Sequence, residues 1–175
     1  MMKSAAVALV GLLCVSGAAA AQDANPMTAA TKAQYEMIKG NVTKAAAKMA
    51  DADYAFSPTP EVRTLGRLLG HIANANYMIC AVAAGEKSPS TSDIEKTATS
   101  KADLTKALDG AFAYCDGVFA KMTDTAGLEK VKYFLGEQPK LAVLAFNNAH
   151  NMEHYGNLVT YMRIKGVVPP SSEGR

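Results

Sequence analysis

The chain has 175 residues, with 18 Lys and Arg against 16 Asp and Glu and a formal net charge of +2. That length is the size of one domain, and 19% charged beside 49% apolar residues excludes a disordered chain. The near-neutral balance leaves no dominant basic face, so nucleic acid is not an expected partner.

The chain starts with a short basic stretch, Met1-Met2-Lys3, followed by an apolar run from Ser4 to Gly17 that holds Val7, Leu9, Val10, Leu12 and Leu13. Ala18 to Ala21 then supply small residues before Gln22, which fits cleavage after Ala21. Leu13 is too large for the position before a lipidated cysteine, so Cys14 does not mark a lipoprotein. The run is shorter than the ~20 residues of a membrane span, and no second run of this kind follows. The sequence therefore predicts a signal peptide over residues 1–21 and a mature domain over residues 22–175, periplasmic or secreted, with no membrane span.

Tyr35, Ile38, Val42, Ala45 and Met49 form the stripe of an amphipathic helix. Pro58 and Pro60 interrupt it, and Thr59 is placed to cap the next helix. That helix carries Leu65, Leu68, Leu69, Ile72, Met78, Ile79 and Val82 and stops at Gly85. Glu86 to Ser100, rich in Ser, Thr and Lys, reads as a loop. Ser100 and Asp103 resemble a capping box, opening a third stripe at Leu104, Leu108, Phe112, Cys115, Phe119 and Met122. Thr123 to Pro139 is a second long connection, with Val131 to Leu135 as a short extended piece. The fourth helix runs from about Lys140 to Lys165 and ends at Gly166, with Arg163 and Lys165 at the negative end of its dipole. Four helices with one apolar stripe each must bury those stripes against one another, which makes an all-α four-helix bundle with two long connections.

The chain has three histidines, His71, His150 and His154. His150 and His154 are four residues apart on one helix, about 40° apart round its axis, on the face of Val143, Leu158 and Tyr161. His71 lies on the flank of the second helix with Leu68, Ala75, Met78 and Val82. One inward histidine is usually a satisfied core residue. A pair that shares an apolar face, joined by a third from another helix, forms a three-nitrogen metal site with an open position.

The run Asn148-Ala149-His150-Asn151-Met152-Glu153-His154-Tyr155-Gly156-Asn157-Leu158-Val159-Thr160-Tyr161-Met162-Arg163, closed by Lys165-Gly166-Val167-Val168-Pro169-Pro170, resembles the last helix of the DinB-like superfamily. Pro58-Thr59-Pro60-Glu61-Val62-Arg63-Thr64-Leu65, leading into Leu69-Gly70-His71, resembles that family's second-helix motif. The resemblance implies a four-helix bundle in which His71, His150 and His154 hold a divalent metal, zinc or nickel foremost. It also implies relatives among metal-dependent transferases and isomerases that use small thiols such as bacillithiol and mycothiol. Those thiols are cytosolic, whereas this chain carries an export signal.

Such a site activates a thiol or water for a transferase or hydrolase reaction on a small-molecule substrate; the alternative is a non-catalytic metal-binding bundle. Glu153 is the one acid in the motif and a weak candidate base, about 60° round from His150 and away from the centre of the apolar face. Asn147, Asn151 and Tyr155 are weaker pocket candidates. His150-x-x-Glu153-His154 also matches the inverzincin peptidase pattern, but those enzymes are larger and complete their site with an acid. The CxxCH of covalent haem attachment and the ExxH pairs of di-iron bundles are absent. A homodimer is compatible with this reading and not required by it. Removal of the signal leaves Cys80 and Cys115, which an oxidising compartment allows to pair. Cys80 lies across the second helix from His71, so the bond is not the favoured expectation; it forms only if the third helix packs on the flank away from the histidines.

Overall fold

Each of the four apolar stripes becomes a helix in the computed structural model, which describes residues 24–174. The expected signal peptide and its cleavage point lie outside the described residues. Helix α1 (Pro26–Lys48) opens on a proline and buries Tyr35, Ile38, Val42 and Ala45. A 3-10 turn at Asp51–Ala55 leads to α2 (Leu65–Ala84).

The cap of α2 is Thr64, not Thr59: the Thr64 hydroxyl accepts from Arg67 N at 3.2 Å. The Leu65 amide donates to the Phe56 carbonyl at 2.9 Å. The prolines are therefore used up in the intervening turn before any helical residue. Gly85 ends α2 at φ 75°, a left-handed conformation that glycine adopts without strain.

The loop expected between residues 86 and 100 contains a short helix, α3 (Ile94–Thr97). Helix α4 (Lys101–Lys121) has the expected cap, with Ser100 Oγ accepting from Asp103 N at 3.0 Å. The second connection holds a single turn, α5 (Asp124–Gly127), and a hairpin of β1 (Lys130–Tyr133) and β2 (Gly136–Pro139). The strands are antiparallel with Tyr133 opposite Gly136, so Phe134 and Leu135 form the tip. Helix α6 (Lys140–Ile164) completes the bundle.

Helix α2 packs on α4 and α6, and α1 packs on the same two, so the consecutive helices α1 and α2 face each other across a diagonal. Leu69, Ile72, Leu104, Leu108, Leu144, Leu158 and Met162 fill the interior; full burial of each such side chain contributes ~1.5–3 kcal/mol. Tyr35 ties α1 to α4: its ring stacks 4.7 Å from Phe119 and its hydroxyl donates to the Phe112 carbonyl at 2.8 Å.

Against the favoured expectation, Cys80 and Cys115 form a disulfide with Cα atoms 5.4 Å apart. The reason is helix order. With α6 on the histidine side of α2, α4 takes the opposite flank, which is the side that Cys80 faces.

Candidate metal centre

His71 projects from α2 and His150 and His154 from α6, and their rings meet between the two helices. His150 Nε2 lies 3.2 Å from His71 Nε2 and 3.1 Å from His154 Nε2. The ligating nitrogens of all three lie within 4.8 Å of one another, and no other group of three or more His, Cys, Asp or Glu side chains is gathered this way among the described residues. Two nitrogens ~2.0–2.1 Å from a tetrahedral zinc stand roughly 3.4 Å apart, so the two short edges already suit such an ion. The donor set is three imidazoles with no fourth protein ligand in the cluster.

The outer nitrogen of His71 explains its orientation. Nδ1 stands 3.2 Å from Glu95 Oε2. A proton donated from Nδ1 to that carboxylate leaves the lone pair on Nε2, facing the other two histidines. Glu95 is itself held by Arg63 Nε at 3.0 Å and Arg67 at 3.2 Å. His154 Nδ1 lies 3.3 Å from the Asn157 amide.

Glu95 reaches His71 because α3 docks directly on α2. A Cβ at Gly70 would stand 2.7 Å from the Glu95 Cα, so a side chain there would push α3 away. Asn74 holds the same helix from one turn further along, donating to Asp93 Oδ1 at 2.9 Å and accepting from Ile94 N at 3.0 Å. Glu95 is the site residue that the sequence reading missed. Its position follows from tertiary docking, and the one local signal was the mid-helix glycine that precedes His71.

The electrostatics favour neutral imidazoles. Burial, then the neighbouring His150, His71 and Arg63, push His154 down to about 4. Burial and the charge of His71 lower His150; burial and Arg63 lower His71, against the opposing pull of Glu95. Burial pushes the Glu95 carboxyl upward, but the hydrogen bonds and charges of Arg63 and His71 outweigh it and hold the group below its usual value. Neutral imidazole is the form that ligates a metal.

The other residues singled out from the sequence lie elsewhere. Glu153 is exposed on the outer side of α6, close enough for its charge to act on His71 and His150. Asn147 and Asn151 are buried but turn toward Asn76 on α2. Tyr155 is buried against the C-terminal segment, its hydroxyl donating to Ser171 Oγ at 2.8 Å. None of these three is in reach of the histidine nitrogens through a hydrogen bond.

The profile of the DinB superfamily matches residues 34–158. No protein of curated function matches the chain in sequence. Among solved structures, the fold is similar to a DinB-like protein from Bacillus cereus, with TM-score 0.70 and 20% identity over 80% of this chain and 93% of that one. A DinB-like protein from Bacillus subtilis gives TM-score 0.65 and 18% identity over 86% of this chain and all of the other. A mutant of a mycothiol-dependent maleylpyruvate isomerase gives TM-score 0.65 and 14% identity, with 75% of this chain covering 60% of that enzyme. The profile match takes in His71, His150 and His154, and the chain belongs to the DinB superfamily.

Proposed function

We propose that His71, His150 and His154 hold one divalent ion, zinc or nickel, and that the exported protein is a metal-dependent transferase or hydrolase acting on a small molecule. The observation that carries this is the convergence of three imidazole nitrogens with no fourth protein ligand among them. A bound ion of this kind supplies Lewis acidity and brings the pKa of a coordinated water or thiol toward neutrality. The chain's own part is to fix the donors: Glu95 orients His71, and Arg63 and Arg67 hold Glu95. Glu153, on the outer side of α6, acts on His71 and His150 through its charge, and a direct part in proton transfer is what Glu153→Gln tests.

The fold shared with a mycothiol-dependent enzyme supports thiol chemistry as one route. Export supports water as the nucleophile, because the small thiols stay in the cytosol. The Cys80–Cys115 disulfide supports export, since such bonds persist in oxidising compartments. Protein recovered from its own cell envelope should begin at or near Gln22; an intact Met1 on cytosolic protein would return the thiols as cosubstrates. The decisive test is a screen of zinc- and nickel-loaded protein against ester, amide and thiol-conjugation substrates. Turnover abolished by His71→Ala in a folded protein is expected. Stoichiometric metal without turnover on any class would leave a non-catalytic metal-binding bundle.

A further inference from the structure

We infer that the cleft on the hairpin side of the histidines seats an aromatic group of the substrate, with Phe134, Met78 and Phe146 as the residues that select it. The inference rests on the metal reading above and names the substrate class for that site.

The cleft has a volume of about 380 Å³ and is walled by His71 and His150 on one side and by Met78, Tyr133, Phe134 and Phe146 on the others. A larger cleft of about 570 Å³ lies near Arg63, Arg67, Glu61 and Glu95, but it touches none of the three histidines. The hairpin cleft is thus the one of the two that reaches the histidines, at His71 and His150.

Its walls are rings. Tyr133 and Phe146 meet at 5.5 Å and 70°, Phe134 and Phe146 at 5.4 Å and 78°, and Phe146 lies 6.5 Å from the His150 ring at 27°. Edge-to-face sets of this kind gain favourable quadrupole contacts from a further ring that an alkyl group does not give. Phe134 is 68% exposed and Met78 50% exposed. Two large apolar side chains left in water at the mouth of a cleft do little for the fold, and a guest would cover them. The hairpin that carries Tyr133 and Phe134 packs Val131 and Tyr133 on the edge of the core and sits over α2 and α6 beside the site, leaving Phe134 at its tip exposed.

The test compares two chelators with the same metal-binding head, acetohydroxamate and benzohydroxamate, by calorimetry on zinc-loaded and metal-free protein. Acetohydroxamate binding that needs the metal supports the metal reading alone. The phenyl-to-methyl preference tests the cleft: benzohydroxamate is expected to bind about tenfold more tightly or better. That preference should shrink to about threefold or less in Phe134→Ala and in Met78→Ala, with acetohydroxamate affinity unchanged. Both side chains are exposed, so both variants keep the fold. Equal affinities in the wild type, or a preference that survives both substitutions, would overturn the inference while leaving the metal reading intact. Loss of a dimer in Phe134→Ala with the preference unchanged would overturn it too, because the hairpin would then serve a second copy of the chain. Failure to take up zinc at all would bring down both readings together.

Discussion

Helices α2 and α6 bring together two trios of polar side chains with the same construction, one residue from α2 and two from α6 spaced by four; the asparagines are fully buried, whereas His71 and His150 are only partly so. The asparagine trio is Asn76, Asn147 and Asn151; the histidine trio is His71, His150 and His154. The asparagines bond to one another and leave only Asn147 Oδ1 without a partner. Asn76 Oδ1 accepts from Asn147 at 2.9 Å and from Asn151 at 3.0 Å, while Asn76 Nδ2 donates to the Ile72 carbonyl and to Asn151 Oδ1 at 2.8 and 2.9 Å. An amide carries both donors and acceptors, so the cluster closes with little left over. Neutral imidazole has one donor, and in His71 that donor is taken by Glu95. The three inward Nε2 atoms meet one another, and His150 Nδ1 is buried without a hydrogen-bond partner. A buried polar cluster closed largely by its own hydrogen bonds holds a fold together; one whose ring nitrogens converge on a common point from two helices marks a site.

The largest expected effect breaks the comparison at the histidines. Replacing His71, His150 or His154 by Ala should weaken zinc binding about 100-fold or more, with the circular dichroism of the helices unchanged. Asn76→Ala should do the reverse. It strands the amides of Asn147 and Asn151, so chemical denaturation should show a loss of about 2–3 kcal/mol while metal stoichiometry is retained. Next comes Glu95→Gln, which keeps the shape of the side chain but gives up its charge; metal affinity should fall about 10–100-fold. Gly70→Ala should act in the same direction by displacing α3.

A smaller effect is expected from pH on the metal-free protein. His154 is held at about 4 in the folded chain against 6.5 when unperturbed. Between those values the unfolded chain binds more protons, so stability is fully present above pH ~6.5 and is lost as pH falls toward about 4. From this residue alone, chelated protein should be about 1–2 kcal/mol less stable at pH 5 than at pH 7. The smallest expected effect is at Glu153, where Gln should leave the metal bound, so that any change in turnover would isolate a proton-transfer role.

Much of this was legible in the residues because helix periodicity and burial are the same fact seen twice. The stripes at Tyr35–Met49 and Leu104–Phe119 are buried as spaced, and the i, i+4 pair on α6 meets His71 as the apolar faces require. What was not legible depends on which helix packs on which flank. The disulfide was weighed against the opposite side of α2, and only the position of α4 decides it. Glu95 sat in a polar stretch whose composition reads as loop, and its role arises where α3 meets Gly70. Asn147 and Asn151 share a face with the histidines, but side-chain chemistry, not helix angle, sends them to Asn76.

The central claim is tested most directly by the metal content of purified mature protein, measured by mass spectrometry for the wild type and for His150→Ala. His150 is the nitrogen within 3.2 Å of both others. One zinc or nickel per chain in the wild type and almost none in the variant is the expected result. Equal metal in both, or none in a wild type dialysed against zinc and nickel, would contradict the account.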